Sequence, residues 1–71
     1  MNTIEIRMNG KKIYIKKKIY IQKFIEDWVE NFEEKKIAVS LNNEIITREK
    51  WPKVKLNDKD TLEIVMAFPG G

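Results

Sequence analysis

Thr3-Ile4-Glu5-Ile6-Arg7-Met8-Asn9-Gly10-Lys11-Lys12-Ile13-Tyr14-Ile15 reads as a chain that doubles back on itself. Ile4, Ile6 and Met8 alternate with Thr3, Glu5 and Arg7, the period of a strand with one buried face. Asn9-Gly10 then supplies the two residues that best accept the positive φ angles of a tight hairpin turn. The return strand puts Ile13 and Ile15 on the buried side and Lys12 and Tyr14 outward. Lys16 to Lys18 form a solvated corner.

Beyond that corner the period changes. Ile21, Phe24, Ile25, Trp28, Val29 and Phe32 recur at spacings of three and four, one face of a helix of about three turns. The spacing predicts that this whole face, Trp28 included, is core. Tyr20 stands where a Ser, Thr, Asp or Asn cap would be favoured, and Lys35 and Lys36 suit the negative pole at the other end. Ile37 to Leu41 is a third strand, Asn42-Asn43 a tight turn, and Glu44-Ile45-Ile46 a short fourth strand. A single helical turn from a Thr47 cap is expected to stop at Pro52. Val54 and Leu56 point to the core, with Lys53 and Lys55 outward. After the polar turn Asn57 to Asp60, the last strand runs from Thr61 to about Ala67 with Leu62, Ile64 and Met66 inward.

The compact solution is a two-layer α+β domain over residues 1–71. A mixed sheet of four to five strands carries one main helix across one face, and the first and last strands lie side by side in the middle. Residues 68–71 leave it as an exposed flexible tail.

Composition removes several function classes. There is no histidine and no cysteine, so the commonest general base, thiolate chemistry and the usual metal ligands are missing. Two of the three glycines are Gly70 and Gly71, which leaves no glycine loop to cradle phosphate. Glu26, Glu30, Glu33 and Glu34 follow the solvent side of the helix. The chain therefore reads as a non-enzyme with no bound cofactor and no metal site. No apolar run is long enough to cross a bilayer and no signal-peptide core opens the sequence, so a cytoplasmic location without a membrane partner is expected. Charge is segregated, with Lys11, Lys12, Lys16, Lys17 and Lys18 in one segment and acids in the next, as in a protein that docks on others.

The tail carries the functional interest. A strand-like Gly70-Gly71 lacks the Cβ atoms that would keep it out of a narrow cleft, and Gly71 ends in a free carboxylate. Pro69 stiffens the base of this lead and holds Phe68 extended.

The full pattern resembles the ubiquitin-like β-grasp sulfur carriers, the ThiS/MoaD family, and in particular the carrier that feeds thiazole synthesis in thiamin biosynthesis. The resemblance covers nearly the whole chain. It rests on the Asn9-Gly10 hairpin, Ala38 through Ile46, Arg48 through Trp51, Leu56 through Asp60, Leu62 through Val65 and the final Gly70-Gly71. Asn43 and Lys59 stand where the family usually has glycine, and Phe68-Pro69 precedes the diglycine where a small apolar residue and glycine are more common.

The resemblance implies that an E1-like adenylyltransferase uses ATP to adenylate the Gly71 carboxylate. A cysteine-persulfide donor system then converts it to a thiocarboxylate, which gives its sulfur to thiazole synthase or another sulfur-accepting synthase. Partner docking is expected on the exposed sheet face beside the tail, through Val65, Ala67 and Phe68, rimmed by Arg7, Lys12 and Glu63. A molybdopterin-type carrier and a ubiquitin-like protein modifier share the activation step and stay open at this point. Nucleic-acid binding by the lysine cluster with Tyr14 and Tyr20 is disfavoured, because lysines on an exposed hairpin also protect an edge strand.

Overall fold

The computed structural model describes residues 2–67. Strands β1 (Thr3–Met8) and β2 (Lys11–Lys16) form the expected hairpin, followed by helix α1 (Ile21–Trp28). Strands β3 (Lys36–Leu41), β4 (Glu44–Ile46) and β5 (Thr61–Ala67) complete one sheet of order β2-β1-β5-β3-β4. β5 runs parallel to β1 and antiparallel to β3, so the last strand occupies the centre. This mixed sheet with a helix across one face is the β-grasp arrangement.

Both hairpins turn through two residues of positive φ. Asn9 and Gly10 have φ of 50° and 86°, Asn42 and Asn43 of 51° and 70°, the mirror-image turn whose twist matches the flanking strands. A Cβ on Gly10 would meet nothing within 4 Å, so this glycine serves backbone conformation and not close packing.

The core lies between α1 and the inner face of the sheet. Ile21, Phe24, Ile25 and Val29 meet Ile4, Ile6, Val39, Ile46, Leu62 and Ile64, with Trp51 and Leu56 closing one side. Trp51 is the largest fully buried side chain, and its Nε1 donates to the Ile46 carbonyl at 3.2 Å. The Arg48 guanidinium lies 4.8 Å from the centre of its ring and donates to the Lys35 carbonyl at 3.0 Å. That bridge ties a 3-10 helix at Arg48–Lys53 to a shorter one at Phe32–Glu34.

Four local expectations are corrected. The helix has about two turns, because Val29 closes it and Asn31 enters the left-handed region at φ 56°. Trp28 is consequently exposed at the rim, stacked on Phe24 at 5.3 Å. Met66 keeps the inward parity of Leu62 and Ile64 but is exposed, since β5 runs on past the core. Pro52 sits inside the second 3-10 helix, and Thr47 precedes that helix without a side-chain capping bond. Val54 is half-buried and Leu56 buried, as the alternation required.

Candidate functional site

The backbone of β5 sets the geometry of the site. Its first half is held on both sides: Arg7 and Met8 pair with Thr61 and Leu62, while β3 runs alongside from Leu41 to Lys36. The side chains of the two hairpin turns extend this grip. Asn9 Nδ2 donates to the Ile64 carbonyl at 3.1 Å and its Oδ1 accepts from the Ile64 N–H at 2.8 Å. Asn42 Oδ1 accepts from the Thr61 N–H at 2.8 Å, and its Nδ2 donates to Asp60 Oδ1 at 2.9 Å. Past Ile64 only β3 accompanies the strand among the described residues, so the chain approaches its tail along an opening edge.

On the exposed face, alternate β5 residues Glu63, Val65 and Ala67 all point to solvent, as the period-two pattern required. Val65 is 67 % exposed and lies opposite Ala38; Glu63 lies opposite Ser40, which on its other side pairs with Ile45. Ala38, Ser40, Ile45, Glu63 and Val65 together floor a shallow depression. Ile45, at 78 % exposure, is its most prominent apolar group. Sequence reasoning missed Ile45, although adjacent isoleucines in a three-residue strand must face opposite sides, and Ile46 is buried. Lys36, opposite Ala67, was missed as well and puts a cation beside the departing chain.

Arg7 and Lys12 are paired across β1 and β2 and do not border this depression. Arg7 aligns with Thr61, so Val65 lies about 13 Å further along β5. Lys12 is also engaged, its Nζ 3.9 Å from Glu5, whose other oxygen lies 3.1 Å from Lys59 Nζ. The hydrogen bond from Lys59 to Glu5, and then the charge of that carboxylate, raise the Lys59 ammonium above its ordinary value. Phe68, Pro69, Gly70 and Gly71 lie outside the described residues. Among the described residues no cluster of His, Cys, Asp or Glu is placed to hold a metal, and no helix is long and apolar enough to cross a membrane.

A family model described as the ThiS family matches residues 2–71. The chain belongs to the ThiS family. Members of the ThiS family are non-catalytic sulfur carriers that act as co-substrates of other enzymes in thiamin biosynthesis. Among solved structures, the chain is similar to the thiamine biosynthesis protein ThiS of Geobacter metallireducens. The TM-score is 0.79 with 22 % identity, over 96 % of this chain and 100 % of that one, which supports the fold. Comparison with curated proteins gives no match.

Proposed function

We propose that this ThiS-family chain carries sulfur as a thiocarboxylate on Gly71. An E1-like adenylyltransferase joins the Gly71 carboxylate to AMP from ATP and releases pyrophosphate. A persulfide sulfur from the donor system then displaces AMP, and reduction of the resulting acyl disulfide by a thiol frees the thiocarboxylate. The loaded carrier delivers its sulfur to thiazole synthase.

The observation that carries this reading is family membership over residues 2–71, which include the diglycine. The role asks little chemistry of the carrier itself, because activation and ring formation belong to its partners. Binding energy has to come from a surface near the tail, and Val65, Ala67, Ala38 and Ile45 supply the apolar part of one. Phe68 extends that surface, and Pro69 and Gly70 form the slim lead into the partner's cleft.

Incubation with ATP and a candidate adenylyltransferase tests the reading. Pyrophosphate release is expected, and it stops when Gly71 is removed. Release that persists without Gly71 refutes it. Phe68→Asp is expected to slow adenylation while leaving the urea midpoint unchanged.

A further inference from the structure

Among the described residues β2 is the outermost strand of the sheet, with β1 on one side and no strand on the other. Met8 and Lys11 flank the two-residue turn as a hydrogen-bonded pair, so the ladder bonds to β1 fall on Lys11, Ile13 and Ile15. Lys17 continues the series, its N–H donating to the Asn2 carbonyl at 2.9 Å. The main-chain N–H and C=O groups of Lys12, Tyr14 and Lys16 therefore point away from β1, and no other main-chain group of the described residues bonds to them. At six residues, this is the longer of the two sheet edges; β4 has three.

The two faces of this edge differ. On the outer face Lys12, Tyr14 and Lys16 alternate, and all three are exposed. On the inner face Ile13 and Ile15 are only half-buried, and an open groove of about 610 Å³ runs from Ile15 toward α1. Ile15, Ile19, Phe24 and Trp28 give that groove its apolar lining. Lys11, Lys16, Lys17 and Lys18 have no acidic partner among the described residues. The nearby acids are already engaged, Asp27 with Lys23 at 3.2 Å and Glu5 with Lys12 and Lys59.

We propose that the β2 edge binds an extended segment of another protein in which acidic residues alternate with apolar ones. Such a segment adds a strand to the sheet by bonding to the main chain of Lys12, Tyr14 and Lys16. Period two then places its acidic side chains on the outer face, opposite Lys12 and Lys16, and its apolar side chains beside Ile13, Ile15 and the groove. A lysine-bearing edge is also how a strand avoids pairing. That protection works against a second copy of this chain, because two β2 edges would set their lysine clusters against each other, whereas the same charge attracts an acidic strand. Nor does protection call for an apolar groove beneath the edge. β1 separates this edge from β5, so the site does not rest on the carrier reading.

Titration of the full chain with a synthetic peptide of four Glu-Val repeats, followed by amide hydrogen exchange, tests it. With peptide at about ten times its Kd the free fraction falls about tenfold, and the Tyr14 and Lys16 amides exchange more slowly by about the same factor. Tyr14→Pro removes the central outward N–H, a change that an edge strand tolerates, and abolishes binding with unchanged circular dichroism. Lys16→Glu turns an attraction into a repulsion and weakens binding about fivefold. It leaves the backbone alone, so it decides the matter should Tyr14→Pro fail to fold. Removal of Gly71 leaves the affinity unchanged, which separates this site from the carrier reading. Absence of saturable peptide binding, unslowed exchange at Tyr14 and Lys16, affinity unmoved by Lys16→Glu, or equal binding of oligoglutamate or of Lys-Val repeats would each overturn the proposal.

Discussion

Asn9 and Ile64 exchange two hydrogen bonds, the amide side chain of one matching the main-chain N–H and C=O of the other at 2.8 and 3.1 Å. The side chain thereby stands in for one more residue of β1 and carries the parallel ladder past the point where β1 turns away. Asn9→Gly keeps the turn, since glycine accepts the 50° φ, but leaves both Ile64 groups unpaired in a half-buried position. The expected loss is about 2 kcal/mol in urea unfolding. A loss below ~0.5 kcal/mol would show that water replaces both bonds without cost.

Asn42 and Asn43 are neighbours of one type in one turn, and glycine should act on them in opposite directions. Asn43, at φ 70°, has no side-chain hydrogen bond among the described residues. Asn43→Gly is therefore expected to stabilise by about 0.5 to 1 kcal/mol. Asn42→Gly removes the bonds to Thr61 and Asp60 and costs about 1 to 3 kcal/mol. Paired thermal melts decide; equal shifts would mean that backbone conformation alone governs the turn.

Alkaline stability should bear the mark of Lys59. Its ammonium is raised above 10.5 when folded, first by the hydrogen bond to Glu5 and then by that carboxylate's charge. The folded chain holds this proton more tightly than the unfolded one. Its contribution is therefore complete below pH 10.5 and disappears as pH rises through the higher folded value. Lys59→Met removes that component, so as pH rises above 10.5 the variant loses stability less steeply than the parent chain. Parallel urea midpoints across this range would refute the linkage.

The apolar depression around Ile45 and Val65 gives a direct test of partner docking. Both side chains are solvent-exposed, so Ile45→Asp and Val65→Asp leave folding nearly unchanged. Each is expected to raise the KM of the carrier for its adenylyltransferase by tenfold or more, equivalent to at least about 1.4 kcal/mol of lost binding. Arg7→Ala, about 13 Å away along the sheet, shifts KM by less than about threefold. If Arg7→Ala proves as damaging as Val65→Asp, the interface reaches across the whole sheet.

Much of the fold was legible because strand and helix periods are local. Alternation at Ile4, Ile6 and Met8, and again at Leu62 and Ile64, placed the inner face of two adjacent strands without any long-range information. Trp28 defeated the same reasoning, because periodicity reports which way a side chain points and not where the helix stops. The stop depends on Asn31 taking a left-handed conformation, which asparagine allows but does not announce. Trp51 was hidden for a related reason: its 3-10 helix has no apolar period, and its burial arises from Ile46 and Arg48 folding around it. Val65, Ala67 and Glu63 were legible as one exposed face, whereas the separation of Arg7 and Lys12 from them depends on a parallel stagger that no local pattern encodes.

The central place of β5 also reaches into the life of the nascent chain. The middle of the sheet is the strand that leaves the ribosome after the other four. Until it arrives, no strand joins the β1–β2 hairpin to the β3–β4 hairpin, and an isolated hairpin is marginal in water. Closure of the sheet then depends on a contact spanning most of the sequence, from Arg7 to Thr61, the kind that slows folding. A product of premature termination that lacks β5 would not persist as a folded domain without a tail. It would expose its apolar faces and be open to proteolysis, so translation itself screens for chains that have reached the strand leading to the diglycine.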